Sequence, residues 1–76
     1  MNQDHPFPAL QLLTKREHFV LGLLAQGLLY KEIAYYHGIS IDTVKKHSKN
    51  IYRKTGARNR TEAAMMFSVE KQKSAA

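Results

Sequence analysis

Between Thr43 and Arg60 the chain carries Lys45, Lys46, Lys49, Arg53, Lys54, Arg58 and Arg60, and not one acidic residue. A solvated helix face ordinarily mixes both signs, so a one-signed run of this density suits contact with an anion. The chain as a whole leans the same way, with twelve Lys and Arg against six Asp and Glu in 76 residues, a formal charge of +6 and a pI near 9.8. A polyanion is the partner that such a balance fits, and nucleic acid and an anionic membrane surface both remain admissible.

Other chemistries find less support. The histidines His5, His18, His37 and His47 raise the question of a metal, but none pairs at i, i+4 with another ligand and no carboxylate cluster joins them. His37 reads instead as a helix C-terminal residue, where a cation favours the negative end of the dipole. There is no cysteine, hence no disulfide frame, thiolate metal site or thiol nucleophile, and a reducing cytoplasm fits best. Serine, threonine and histidine occur without a nucleophile elbow, a phosphate-cradling glycine loop or paired carboxylates. A chain of this size buries only about 60% of its unfolded surface, which leaves little room for a substrate pocket. No catalysis, metal or cofactor is expected. Residues 1–13 lack the basic flank and apolar run of a signal peptide, and no segment approaches the ~18 apolar residues of a membrane span.

The basic residues must be positioned by helices, because no strand-like alternation occurs. Pro6 and Pro8 disfavour helix before residue 14 and predict an extended arm over residues 1–13. Thr14-Lys15-Arg16-Glu17 has the form of a capping box and opens a first helix, which Val20, Leu21 and Leu24 continue to about Gln26, ahead of Gly27. Tyr30, Ile33, Ala34 and His37 repeat the helical spacing and Gly38 ends this second helix. Ser40 and Asp42 open a third, over about Ile41 to Thr55 before Gly56. Asn59 with Glu62 gives a weaker capping signal for a fourth, to about Lys71, with residues 72–76 expected to fray. The reading is an all-α, four-helix, bundle-like domain over residues 14–71.

The second and third helices are joined by only three or four residues, which is the spacing of a helix-turn-helix. That motif needs a small residue where the helices approach (Ala34), a residue tolerant of positive φ in the turn (Gly38) and apolar residues at the crossing (Ile33, Ile39, Val44). Each requirement is met. The third helix would then carry Lys45, Lys46, Lys49, Arg53 and Lys54 outside and Val44, Ile51 and part of Tyr52 inside.

Leu13-Thr14-Lys15-Arg16-Glu17, Lys31-Glu32-Ile33-Ala34, Gly38-Ile39-Ser40, Thr43-Val44-Lys45 with His47, and Asn59-Arg60-Thr61-Glu62-Ala63 follow one another in order. From Leu13 to Phe67 the chain thus resembles the LuxR-type, or GerE-like, DNA-binding domain of bacterial transcriptional regulators. The resemblance implies a third helix in the major groove, two copies joined through the fourth helix on a two-fold DNA site, and action in the cytoplasm at the nucleoid. It implies base-edge contacts for Lys45, Lys46 and Lys49, and phosphate contacts for Thr43, His47, Asn50 and the loop from Arg58 to Arg60; Arg53 joins the phosphate set. His37, Ser48 and Thr55 stand where the family usually packs a leucine, Leu29 where it places a capping Ser or Thr, and Lys46 where it more often has an apolar residue. A marginally stable monomer is the expected consequence.

Two apolar stripes divide the fourth helix. Ala63, Met66 and Phe67 form one, the candidate dimer face, and Met65 and Val69 form the other. Phe19 and Leu23, one turn apart, could meet RNA polymerase or a sensor domain, although extra core is the simpler use. Two further functions stay open. Promoter binding like that of sigma-factor region four shares the turn but not the opening from Asn59 to Ala63, and a protein-interaction or membrane-surface module would leave the charge incidental.

Overall fold

The computed structural model describes the chain from Pro8 to Ala75. A short 3-10 turn, Pro8–Leu12, precedes α1 (Lys15–Ala25), α2 (Tyr30–His37), α3 (Ile41–Thr55) and α4 (Arg60–Ala75). The all-α, four-helix architecture is as the sequence predicts, and the described residues form no strand.

Local chemistry accounts for the helix boundaries. At α1 the box is complete: Thr14 Oγ1 accepts from the Glu17 amide at 3.0 Å and Glu17 Oε1 accepts from the Thr14 amide at 3.0 Å. Leu29 has no acceptor for α2, yet Glu32 Oε1 still takes the Leu29 amide at 2.7 Å, so half of the box survives the missing hydroxyl. Ser40 Oγ accepts from the Thr43 amide at 3.1 Å and starts α3. Gly38 ends α2 at φ 67°, the left-handed conformation that the turn requires, and Ile39 N–H reaches back to the Ala34 carbonyl at 3.1 Å.

Two boundaries differ from expectation. Part of the predicted extended arm is the 3-10 turn, whose Leu10 is 2% exposed and joins the core; residues 1–7 lie outside the described residues. The predicted frayed tail is helix as far as Ala75, because α4 meets no proline or glycine that would stop it.

α1 lies across α3 and α4, while α2 and the 3-10 turn pack against α3. The core is Leu10, Val20, Leu21, Leu24, Ile33, Ala34, Val44, Ile51, Ala57, Ala63 and Met66. Gly22 permits the close crossing of α1 and α4: a Cβ there would stand 3.2 Å from the Phe67 ring. The turn and all four helices contribute to this core, and α1, α2 and the turn hold α3 in place.

Candidate nucleic-acid interface

On α3, Val44, Ser48 and Ile51 are buried, while Lys45, Lys46, Lys49 and Arg53 are exposed. At 3.6 residues per turn these four cations fall within about 100° of arc, opposite the core, and span about 12 Å along the axis. Thr43, His47 and Asn50 are half-buried along the margin of that arc. Asn50 Oδ1 accepts from Arg53 Nη2 at 3.1 Å, a contact that orients the guanidinium without cancelling its charge. Asp42 is exposed in the first turn, where it favours the helix dipole. Among the described residues none of the four cations makes an ion pair.

The other three basic residues are committed elsewhere. Lys54 leaves the arc and meets the buried Glu17 at 2.7 Å, its own side chain only 23% exposed. Burial by itself would raise the Glu17 carboxyl, but the Lys54 hydrogen bond, the Thr14 amide and the charges of Lys54 and His47 hold it below its ordinary value. The capping residue of α1 thus also anchors the C-terminal half of α3. Arg60 donates through Nε to the Leu24 carbonyl at 3.1 Å and through Nη2 to the Leu28 carbonyl. It ties the end of α1 and the loop after it to the start of α4, a structural duty beside the phosphate contact expected of it. Arg58 is exposed but grips Glu62, with Nη2 at 2.8 Å and Nε at 3.1 Å from Oε2. A run of cations that reads as uniform in sequence therefore resolves into a free face of Lys45, Lys46, Lys49 and Arg53 and three tethered members.

The stripe of α4 expected at a dimer interface faces inward in the single chain. Ala63 is 1% and Met66 8% exposed, both turned into the chain's own core, and Phe67 packs over Gly22 and His18. The short α1 and the thin core need this stripe for themselves. The outward line of α4 is Thr61, Met65, Ser68 and Gln72, with Val69 half-buried beside it. Phe19 stays 53% exposed with its ring edge-on to His37 at 4.4 Å, and Leu23 packs against the core. Sequence reasoning missed Glu17 and Glu62 as the partners of Lys54 and Arg58; the run of cations was visible, its tethering was not.

No group of three or more possible metal ligands occurs among the described residues, and none of their helices is long and apolar enough to cross a membrane. His5 lies outside the described residues.

Residues 11–67 match the family model described as bacterial regulatory proteins, luxR family. The nitrate/nitrite response regulator protein NarP of Escherichia coli is 45% identical over 65 residues, which cover 86% of this chain and 29% of that protein. The transcriptional regulatory protein YdfI of Bacillus subtilis is 49% identical over 51 residues, 67% of this chain and 24% of the relative. For the transcriptional regulatory protein UhpA of Escherichia coli the figures are 48% over 52 residues, 68% and 26%. The chain thus spans less than a third of the length of these relatives. No solved structure matches it. With the turn at Gly38 and the free cations of α3, these matches define it: the chain belongs to the luxR family of bacterial regulatory proteins, whose helix-turn-helix domains bind DNA to regulate transcription and are not enzymes.

Proposed function

We propose that α3 enters the major groove of duplex DNA, with Lys45, Lys46 and Lys49 at base edges and Thr43, His47, Asn50, Arg53 and Arg58 along the phosphates. The observation that carries this reading is the set of four uncompensated cations on one arc of a helix that a tight turn delivers to the surface. Lysine can donate to guanine O6 and N7 in that groove, whereas contacts to phosphate fix position and carry no sequence information. Two copies bind a two-fold site, meeting through the outward line of α4 around Met65 rather than through Ala63 and Met66. The names of the relatives, a nitrate/nitrite response regulator among them, support a regulator whose DNA binding answers a signal, and the cytoplasmic nucleoid is where such a domain acts. The exposed Phe19 is a candidate contact for RNA polymerase or a sensor domain.

A footprint on genomic fragments supplies the site. Lys49→Ala is then titrated with salt on the specific duplex and on a scrambled one. The expected loss is about 1–3 kcal/mol on the specific duplex, with relaxed preference at one base position. An equal loss on both duplexes would reduce α3 to an electrostatic anchor and overturn the recognition-helix assignment. Preference for anionic vesicles over DNA would favour the membrane-surface alternative.

A further inference from the structure

Arg58 lies just beyond the end of α3, and its side chain is 85% exposed, yet among the described residues it is the one exposed cation of the basic run that a carboxylate holds. Glu62 approaches it from both sides. Oε1 accepts from the Arg58 amide at 2.7 Å, Oε2 accepts from Nη2 at 2.8 Å and Nε at 3.1 Å, and the Glu62 amide is itself fixed by Asn59 Oδ1 at 2.9 Å. The expected return of Glu62 to the Asn59 amide, which would complete a capping box, is replaced by this grip one residue earlier. A carboxylate presents to the guanidinium the same paired oxygens as a phosphodiester, so the two compete for one fork of donors.

The geometry points to Glu62 as an internal competitor of DNA phosphate, one that masks Arg58 and sets the affinity of the domain for all sequences alike. The inference rests on the reading that α3 and the loop after it meet duplex DNA. Because a phosphate contact is blind to sequence, masking one lowers specific and non-specific binding together and leaves their ratio unchanged. Solvent screens an exposed pair of this kind, so the mask is weak enough to tune binding without abolishing it. The simpler alternative is an i, i+4 surface pair that only steadies the start of α4.

The two differ in a double-mutant cycle on DNA affinity with Glu62→Gln and Arg58→Ala, measured across a salt series on specific and scrambled duplexes. Gln at this position still accepts from the Arg58 amide, so α4 keeps its cap, and far-UV circular dichroism with thermal melts checks this for every chain. The inference expects Glu62→Gln to tighten binding by about two- to fivefold on both duplexes and to steepen the slope of log K against log salt by up to about 0.9. It further expects Arg58→Ala to weaken the wild-type chain by less than about twofold but the Glu62→Gln chain several-fold, the phosphate contact becoming visible only once unmasked. An equal gain from Glu62→Gln with and without Arg58 would mean through-space charge alone and would overturn the inference. So would unchanged affinity in a folded Glu62→Gln chain. If no chain binds duplex DNA, the proposed function falls first and this inference with it.

Discussion

Arg53 and Arg60 are the same residue type in the same basic run, and their surroundings set them to opposite tasks. Arg53 projects from the free face of α3 and donates to the Asn50 amide oxygen, whereas Arg60 reaches the Leu24 and Leu28 carbonyls across the chain. Hydrogen bonds from a charged donor typically contribute about 1.5–3 kcal/mol, so Arg60→Ala is expected to destabilise the fold by about that amount. Thermal melts measure the loss, and the salt slope of DNA binding should not change. Arg53→Ala should do the reverse, leaving the melt in place and lowering the slope by about 0.9. A shallower slope for folded Arg60→Ala protein would return that residue to the phosphate set. Ser48 presents the converse case, a residue 1% exposed whose hydroxyl has no partner in the core. Leaving a buried hydroxyl unsatisfied costs about 1–3 kcal/mol, so Ser48→Ala should stabilise the domain despite its smaller side chain. A lower midpoint in urea would show that the hydroxyl is satisfied after all.

Helices add what single residues cannot, a fixed angle between α2 and α3 and a tie between α3 and α1. The angle turns on Gly38, where an added Cβ would meet nothing within 4 Å, so the penalty for a side chain is conformational and not steric. Gly38→Val is therefore expected to cost about 1–2 kcal/mol or more, and Gly38→Asn distinctly less, because asparagine tolerates the left-handed region. Equal melts for the two variants would argue against a left-handed turn. The tie is Glu17 to Lys54, and it gives the domain an acid sensitivity of defined sign. Since the folded-state pKa of Glu17 lies below its ordinary 4.5, its contribution is fully present above that value and lost as pH falls through the folded value. Glu17→Gln keeps the capping geometry but not the charge. Its deficit against wild type should be largest at neutral pH and vanish in strong acid, and a deficit independent of pH would mean that the pairing with Lys54 contributes nothing. The same contrast explains what was legible beforehand. Thr14 with Glu17, Gly38 and Ser40 act on neighbours three to five residues away, so the helix boundaries and the helix-turn-helix could be read from spacing. Lys54 and Arg60 find their partners 37 and 36 residues away, and Leu10 is buried where the 3-10 turn packs against α3, so those roles depend on packing that spacing does not encode.

At the scale of the whole molecule, charge and apolar surface together decide when two copies meet. The chain carries +6, with Lys45, Lys46, Lys49 and Arg53 on one face and without an ion pair among the described residues, so two domains repel unless a polyanion lies between them. The outward line of α4 offers a single large apolar residue, Met65 at 48% exposed, because Ala63 and Met66 are spent on the core. Stable protein interfaces bury about 1,200–2,000 Å², far more than that line can supply. The expectation is a monomer in free solution and two chains on a two-fold DNA site whose half-sites lie about 34 Å apart, one helical turn. Sedimentation with and without the duplex tests the stoichiometry. Met65→Asp should then reduce affinity for the full site while leaving a single half-site unaffected, and a spacer lengthened by about half a turn should remove the advantage of the second half-site, since the two copies would then face opposite sides of the duplex. Loss of binding to the half-site in Met65→Asp would place Met65 in the fold or in the DNA contact. One chain occupying the full site at undiminished affinity would show that α4 is not an interface at all.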